Sequence, residues 1–302
     1  MLCAPLLAAL RAAYPGVRLT MAGQAGAVSL LHASGLLDCA LGQDDQRLLG
    51  LFAESGPGFE LATTLGVVDV AVGWLADHEG RVLRSLRRLA RGRAVVAPSR
   101  PPPGSGLQVP AFLAGTLALV EIGPLTLPGP PLLTAPRAEQ AWASDYLSSL
   151  SGEARPIVAL HPGSGSPAKN WHALGYAAVL GALAEEYSVV LVAGPADSQA
   201  LAAIEARTTA RVVFARDLPL PRLAALLAAC TALVGNDSGI GHLAALLGLP
   251  VVSLFGPTES ALWRPWGERV RVLSWRAGHE TLTPPEVVAT VQQLLVGAAR
   301  RH

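Results

Sequence analysis

Lys169 is the one lysine in this chain; every other residue among its 23 lysine-plus-arginine cations is arginine. It lies in His161-Pro-Gly-Ser-Gly-Ser-Pro-Ala-Lys-Asn-Trp171, directly after the apolar run Ile157–Leu160. Small residues in such a loop let backbone N–H groups approach an anion, and a lysine meets a phosphate as a point charge. The glycine spacing and the Asn170 that follows the lysine exclude a Walker-type loop. A second stretch, Gly235-Asn-Asp-Ser-Gly-Ile-Gly-His242, also follows an apolar run and opens an apolar helix. A helix cap needs one residue; this stretch supplies an acid, a hydroxyl, three glycines and a histidine. The third is Phe255-Gly-Pro-Thr-Glu259, with Trp263-Arg-Pro-Trp-Gly267 beyond it. Three polar loops at successive strand ends fall on one edge of one sheet, the edge where open α/β sheets bind ligands. The plain alternatives are a glycine-rich turn bearing a surface lysine and an ordinary cap at Asp237 or Ser238.

The elements that position these loops alternate cleanly. Helix is expected over about Leu174–Tyr187, Pro221–Ala229 and Ile240–Leu247. Strands are expected at Ile157–Leu160, Ser188–Ala193, Arg211–Phe214, Ala232–Gly235 and Val251–Phe255. Strands without alternating polarity, spaced by helices, indicate a parallel sheet covered on both faces. Ahead of them, Leu125–Pro136 holds four prolines and reads as a linker, and Arg137–Leu150 as a helix. The first half alternates less regularly. Helices are expected over Leu6–Ala13, Ala25–Ser34 and Glu79–Arg91, and strands over Val17–Ala22, Leu37–Leu41 and Ala94–Ala97. In the helix over Glu79–Arg91, the spacing of Arg81, Arg84, Arg88 and Arg91 puts them on one face, opposite Leu83, Leu86 and Leu89. Such a face suits an anionic acceptor or a membrane surface, and a merely solvated face is the plainer alternative. Asp44-Asp45 reads as a helix start.

Composition narrows the class. The chain has 302 residues, 51% of them hydrophobic and 15% charged, which excludes disorder as the main state. Mean hydropathy is +0.40. The longest stretches without charge, Pro101–Val120 and Ser238–Thr258, are broken by proline and glycine, so neither reads as a membrane span. A net charge of +1 gives no general basis for binding nucleic acid. Cys3, Cys39 and Cys230 match no metal or disulfide spacing and read as reduced core residues of a cytoplasmic protein. No spaced carboxylate cluster or histidine pair points to a metal, and no Ser-His-Asp order or nucleophile elbow appears. The apolar run near the N-terminus has no basic residue before it and does not read as a secretory signal.

His-Pro-Gly-Ser, Lys169 and Trp171, then Gly-Asn-Asp-Ser-Gly with His242-Leu-Ala-Ala, then Leu-Phe-Gly-Pro-Thr258 resemble glycosyltransferase family 9, the heptosyltransferase family of bacterial lipopolysaccharide synthesis. The resemblance covers the second half; the first half matches more loosely, in Pro5–Gly16. It implies an α/β, GT-B-like fold of two Rossmann-like domains facing a cleft. Residues 1–128 would form the acceptor-side domain, 129–155 a linker and connecting helix, and 156–302 the nucleotide-sugar-binding domain.

The implied activity is an inverting, metal-independent transfer of a sugar, heptose in the family, from a nucleotide-diphosphate sugar such as ADP-heptose to a lipid-linked glycan. It uses no cofactor. Carried over by position, Lys169 and Asp237 would be catalytic, the lysine on the donor diphosphate and the aspartate on the sugar. Ser164, Gly165, Ser238 and Gly239 would lie against the phosphates, and His242 would line the same pocket. Asp197 would meet the ribose, and Leu218 and Leu220 would form an adenine wall. Arg84 and Arg88 would meet the acceptor, with a peripheral contact at the inner face of the cytoplasmic membrane. Two rivals are a nucleotide-sugar epimerase on the same fold and a family member that binds nucleotide without transferring. One departure stands out: the family's first strand and its Asp-bearing loop, the expected general base, have no counterpart, because the first carboxylate is Asp38. The expectation is that both are encoded upstream of Met1.

Overall fold

The computed structural model describes residues 1–148, 155–208, 210, 212–275 and 282–299. The chain divides into two compact units, Leu2–Pro128 and Gly129–His302. The first contains α1 (Ala4–Ala13), β1 (Thr20–Gly23), α2 (Ala25–Ala33), β2 (Cys39–Gly42), α3 (Phe59–Leu65), β3 (Val68–Trp74), α4 (Arg81–Leu89), β4 (Ala90–Ala97) and α5 (Val109–Thr116). β1 pairs with β2 and β3 with β4, both in parallel, and among the described residues the two pairs share no ladder. Leu6 and Val109 are fully buried, on α1 and α5, which pack together.

The arginine-bearing helix is shorter at both ends than the sequence suggests. Asp77 fixes its start by accepting the Val82 and Leu83 N–H groups at 3.2 and 2.8 Å. Its end is fixed by pairing with β3: Val68 faces Ala90 and Val70 faces Arg93. At Gly92 a Cβ would collide with the Asp69 carbonyl. Arg91 therefore belongs to β4, and the helical row keeps Arg81, Arg84 and Arg88. Asp69 and Gly73 interrupt the apolar run of β3, which is why the pattern reading omits that strand. Asp45 does start a helix, a 3₁₀ turn over Gln46–Leu51, by accepting the Arg47 N–H at 3.0 Å.

The second unit contains α6 (Arg137–Ser148), β5 (Ile157–His161), α7 (Ala173–Leu183), β6 (Ser188–Ala193), α8 (Ser198–Glu205), β7 (Val212–Arg216), α9 (Leu220–Ala228), β8 (Ala232–Asn236), α10 (Gly239–Leu246), β9 (Val251–Phe255), α11 (Ser260–Trp263), β10 (Val270–Ser274) and α12 (Pro284–Ala299). Residues 149–150 of the expected helix and Arg211 of the expected strand lie outside the described residues. The strands form one parallel sheet in the order β10-β9-β8-β5-β6-β7. β8 and β9 are buried along their whole length, so their unbroken apolar character follows from cover on both faces. Val158, Leu160, Val189, Leu191, Val252 and Leu254 face α7, α8 and α12 across one core; α9 and α10 pack together, and α10 lies on β8 and β9. The proline-rich segment is irregular, as expected, but it is not a free tether. The N–H groups of Leu132 and Leu133 both donate to the Leu246 carbonyl, at 2.8 and 3.0 Å, and Leu133 and Ala135 are buried.

Of the three cysteines expected in the core, only Cys230 is buried, and burial raises its thiol pKa to about 12. Cys3 and Cys39 are half-buried. No helix among the described residues is long and apolar enough to cross a membrane.

Candidate active site

Chain order fixes where a ligand site can form in the six-stranded sheet. From β5 the chain winds outward through β6 and β7, then returns to the other side of β5 with β8, β9 and β10. The reversal lies between β5 and β8, and the crevice outside their carboxyl ends is the binding position of open parallel sheets. The loop after β5 carries Lys169, at the end of a 3₁₀ turn over Pro167–Lys169. The residue directly after β8 is Asp237. Lys169 Nζ donates to Asp237 Oδ2 at 2.9 Å, with the lysine side chain 32% exposed and the aspartate 6%. Thr258, from the loop after β9, donates its hydroxyl to the same oxygen at 2.8 Å. The three stretches singled out by sequence therefore meet at one carboxylate. Both contacts fall on Oδ2, leaving Oδ1 with no hydrogen bond among the described residues.

Asn236, the last residue of β8, holds these loops in place and is fully buried. Its Oδ1 accepts the Trp171 N–H at 3.0 Å, and its Nδ2 donates to the Pro162 carbonyl at 2.8 Å. One side chain thus clamps both ends of the lysine loop to the strand that presents Asp237. Trp171 is itself wedged: a Cβ at Gly175 would sit 2.5 Å from its ring, and Tyr176 packs edge-on against it at 5.5 Å. The sequence reading assigned no role to Asn236 or Thr258. An amide at the end of an apolar strand, where an aliphatic residue would otherwise sit, is the signal that could have singled out Asn236.

The remaining expected residues divide into two groups. Ser238 caps α10, its Oγ accepting the Gly241 N–H at 3.5 Å, and Gly239 is the first helical residue. The positive end of α10 thus lies beside Asp237. His242, one turn in, is buried; desolvation lowers its pKa to about 4, against the opposing pull of the Asp237 charge. Near neutrality it is therefore an uncharged imidazole and adds no positive charge for a phosphate. Gly165 is exposed in the lysine loop.

The second group is turned away from an incoming ligand or stands apart. Ser164 is buried, and its hydroxyl folds the loop by donating to the Ser166 carbonyl at 2.6 Å and accepting the Ser166 N–H at 3.2 Å. Asp197 is buried beneath the loop; its Oδ2 accepts the Gly194 N–H at 2.7 Å and lies 3.9 Å from His161 Nδ1. A Cβ at Gly163 would overlap this carboxylate, which explains the glycine. Leu218 and Leu220 are half-buried at the join of β7 and α9. Arg84 and Arg88 belong to the other unit, where Arg84 donates to the Glu79 carbonyl at 2.9 Å and Arg88 to the Ser55 carbonyl at 3.0 Å. Among the described residues, no group of three or more His, Cys, Asp or Glu is arranged to hold a metal ion.

A doubly wound parallel sheet with a lysine–aspartate pair at its switch point defines an α/β protein built to present polar loops at one sheet edge. A family model described as glycosyltransferase family 9 (heptosyltransferase) matches residues 128–284, just over half of the chain. The chain belongs to this family. It is 32% identical over 193 residues to lipopolysaccharide heptosyltransferase 2 of Salmonella typhimurium, covering 62% of this chain and 55% of that protein. It is 34% identical over 130 residues to lipopolysaccharide heptosyltransferase 3 of Escherichia coli K12, covering 41% and 38%. The chain thus matches about half the length, or less, of these curated relatives. Among solved structures it resembles a family 9 glycosyl transferase from Veillonella parvula, with a TM-score of 0.79 and 18% identity over 98% of this chain and 93% of that one. It also resembles the ADP-heptose lipopolysaccharide heptosyltransferase II of E. coli, with a TM-score of 0.74 and 24% identity over 99% and 95%. These likenesses establish the GT-B-type α/β fold.

Proposed function

We propose that the chain is an inverting, metal-independent glycosyltransferase that moves heptose from ADP-heptose to a lipopolysaccharide-core or related lipid-linked glycan. It would work at the inner face of the cytoplasmic membrane. The observation that carries this reading is the convergence of Lys169, Asp237 and Thr258 at the switch point of a family 9 sheet. In the reaction the acceptor oxygen attacks the anomeric carbon, the bond from that carbon to the diphosphate oxygen breaks, and the acceptor proton passes to a general base. The leaving nucleoside diphosphate carries the electron pair and needs positive potential. Lys169 and the N-terminus of α10 supply it in fixed positions, as preorganised groups must. Gly165, Ser238 and Gly239 line the phosphate path, and His242, Leu218 and Leu220 border the nucleotide, while Ser164 and Asp197, buried against the lysine loop, shape it from within. Asp237 meets the sugar hydroxyls through Oδ1 and stabilises positive charge developing at the anomeric carbon. Arg84 and Arg88 meet the acceptor.

The test is transfer of label from ADP-heptose to a lipid-linked acceptor. Lys169→Ala should lower transfer at least about 100-fold and weaken ADP binding, as expected for loss of a transition-state cation. Asp237→Asn should reduce turnover more than ADP affinity, because its charge matters most in the transition state. Wild-type turnover in Lys169→Ala would sink the assignment. A panel of nucleotide sugars screened by thermal shift identifies the donor, since a ligand at 100 times its Kd stabilises a fold by about 2.7 kcal/mol.

A further inference from the structure

The ion pair that marks the site also stands in the way of its use. Among the described residues, Lys169 Nζ has one partner, Asp237 Oδ2 at 2.9 Å. An ammonium that turns to a diphosphate must loosen that contact. The lysine can make the move: its side chain is 32% exposed, and Asn236 holds the loop at both ends, so only the side chain has to swing. Asp237 cannot follow. Its side chain is 6% exposed, and its N–H donates to the Leu254 carbonyl at 3.0 Å, which ties it to β9. A carboxylate this buried is costly to leave without a partner, and that cost would weaken any ligand that draws the lysine away.

Thr258 holds the same oxygen from another side, its hydroxyl donating to Asp237 Oδ2 at 2.8 Å. Its place owes nothing to the lysine loop. Gly256, two residues earlier, lies so close to the Trp275 ring that a Cβ there would collide with it. The Trp275 N–H donates to the Phe255 carbonyl at 2.8 Å. Just beyond Thr258, Leu262 is buried, and the N–H groups of Leu262 and Trp263 both donate to the Glu259 carbonyl at 3.1 Å. The threonine therefore stays in position when the lysine leaves.

We propose that Thr258 is a positioning residue: its hydroxyl keeps Asp237 partnered while Lys169 moves to the donor diphosphate. This rests on the transferase reading of Lys169 and Asp237 and gives the threonine a part of its own in it. The hydroxyl acts through the carboxylate and touches no substrate. By holding Oδ2 it also keeps Oδ1 turned to the sugar. Without the hydroxyl the carboxylate depends on the lysine alone, so the lysine is harder to release and the diphosphate binds more weakly. The effect exists only while residue 237 carries a charge that competes for the ammonium. Coupling of this kind is what a double-mutant cycle isolates.

The experiment is calorimetric titration of the full chain with ADP, in wild type, Thr258→Val, Thr258→Ser, Asp237→Asn and the double variant of Thr258→Val with Asp237→Asn. Thr258→Val keeps the shape of a half-buried loop residue and removes the hydroxyl, so the thermal midpoint should hold. Its Kd for ADP should rise about tenfold, the worth of a hydrogen bond to a charged group. Thr258→Ser restores the donor and should bind within about twofold of wild type. In the Asp237→Asn background, adding Thr258→Val should change Kd by less than about twofold, because no charge is left to hold the lysine. Equal weakening in both backgrounds overturns the proposal and leaves Thr258 a part of the loop scaffold. Thr258→Val binding like wild type, or Thr258→Ser binding as weakly as Thr258→Val, also overturns it and leaves the transferase reading standing. A wild-type chain that does not bind ADP overturns both.

Discussion

The two units use parallel strands in opposite ways. In Gly129–His302, β8 and β9 are buried at every position, and β5 and β6 at all but their first residue. In Leu2–Pro128, β1 alternates exposed with half-buried residues, and three of the first four residues of β4 are exposed. Of the exposed large hydrophobic side chains among the described residues, only Leu174 and Val296 belong to the second unit. A sheet covered on both faces is a stiff platform, and it holds the lysine loop, Asp237 and Thr258 in register. The first unit leaves more of its large apolar side chains at the surface. The family model follows the same division, since its match from 128 to 284 coincides with the buried sheet.

The largest effect that would sharpen this contrast comes from removing the Asn236 clamp. Asn236→Ala leaves the Trp171 N–H and the Pro162 carbonyl without their partner in a fully buried place. Unpaired buried groups of this kind, with the small cavity added, cost about 2–4 kcal/mol. Denaturant unfolding should register that loss, and calorimetric titration with ADP should show at least about tenfold weaker binding. Retention of both values would mean the platform is held by its strands alone and the clamp is incidental.

Acid should act on the platform next. The His242 pKa is lowered from 6.5 to about 4 by burial, so between those values the unfolded chain takes up a proton that the folded chain does not. Stability then falls as pH drops through this window and is fully present above about 6.5, a span worth about 3 kcal/mol for this one group. The sign is that of a buried neutral histidine, opposite to one held charged by a partner. Unfolding curves measured from pH 4 to 7 should show the slope, and His242→Asn should flatten it. His161, also lowered by burial, leaves a residual slope. A profile unchanged by His242→Asn would remove that histidine from the account.

How much of this was legible in the sequence follows the same contrast. Buried parallel strands are unbroken apolar runs, so Ser188–Ala193 and Val251–Phe255 were read to the residue. The lysine and aspartate stood out by type and place. Asn236 did not, because its role depends on which backbone groups of another loop face it, and no spacing encodes that. Asp197 was legible as a loop acid but not as one turned inward, which the crowding at Gly163 decides. In the first unit the pattern weakened as burial did. Val68–Trp74 carries Asp69 on an exposed face, and the register that ends α4 at Leu89 is set by a partner strand rather than by helix propensity.

The smallest effect on folding should come from the arginine row, and that is what makes it informative. Arg84 and Arg88 are exposed, and each donates to backbone carbonyls of a neighbouring loop. Exposed contacts of this kind contribute little, so reversing both charges, with Arg84→Glu and Arg88→Glu, should change stability by no more than about 1 kcal/mol. ADP binding, which the proposed function assigns to the other unit, should not move. The expected change is confined to the acceptor: its KM should rise, most at low salt, because guanidinium groups recognise phosphate on a lipid-linked glycan through screened charge. An acceptor KM equal to wild type at every salt concentration would return the row to a solvated helix face. A parallel loss of ADP affinity would break the division of labour between the two units, since charges on one would then be acting on the donor held by the other.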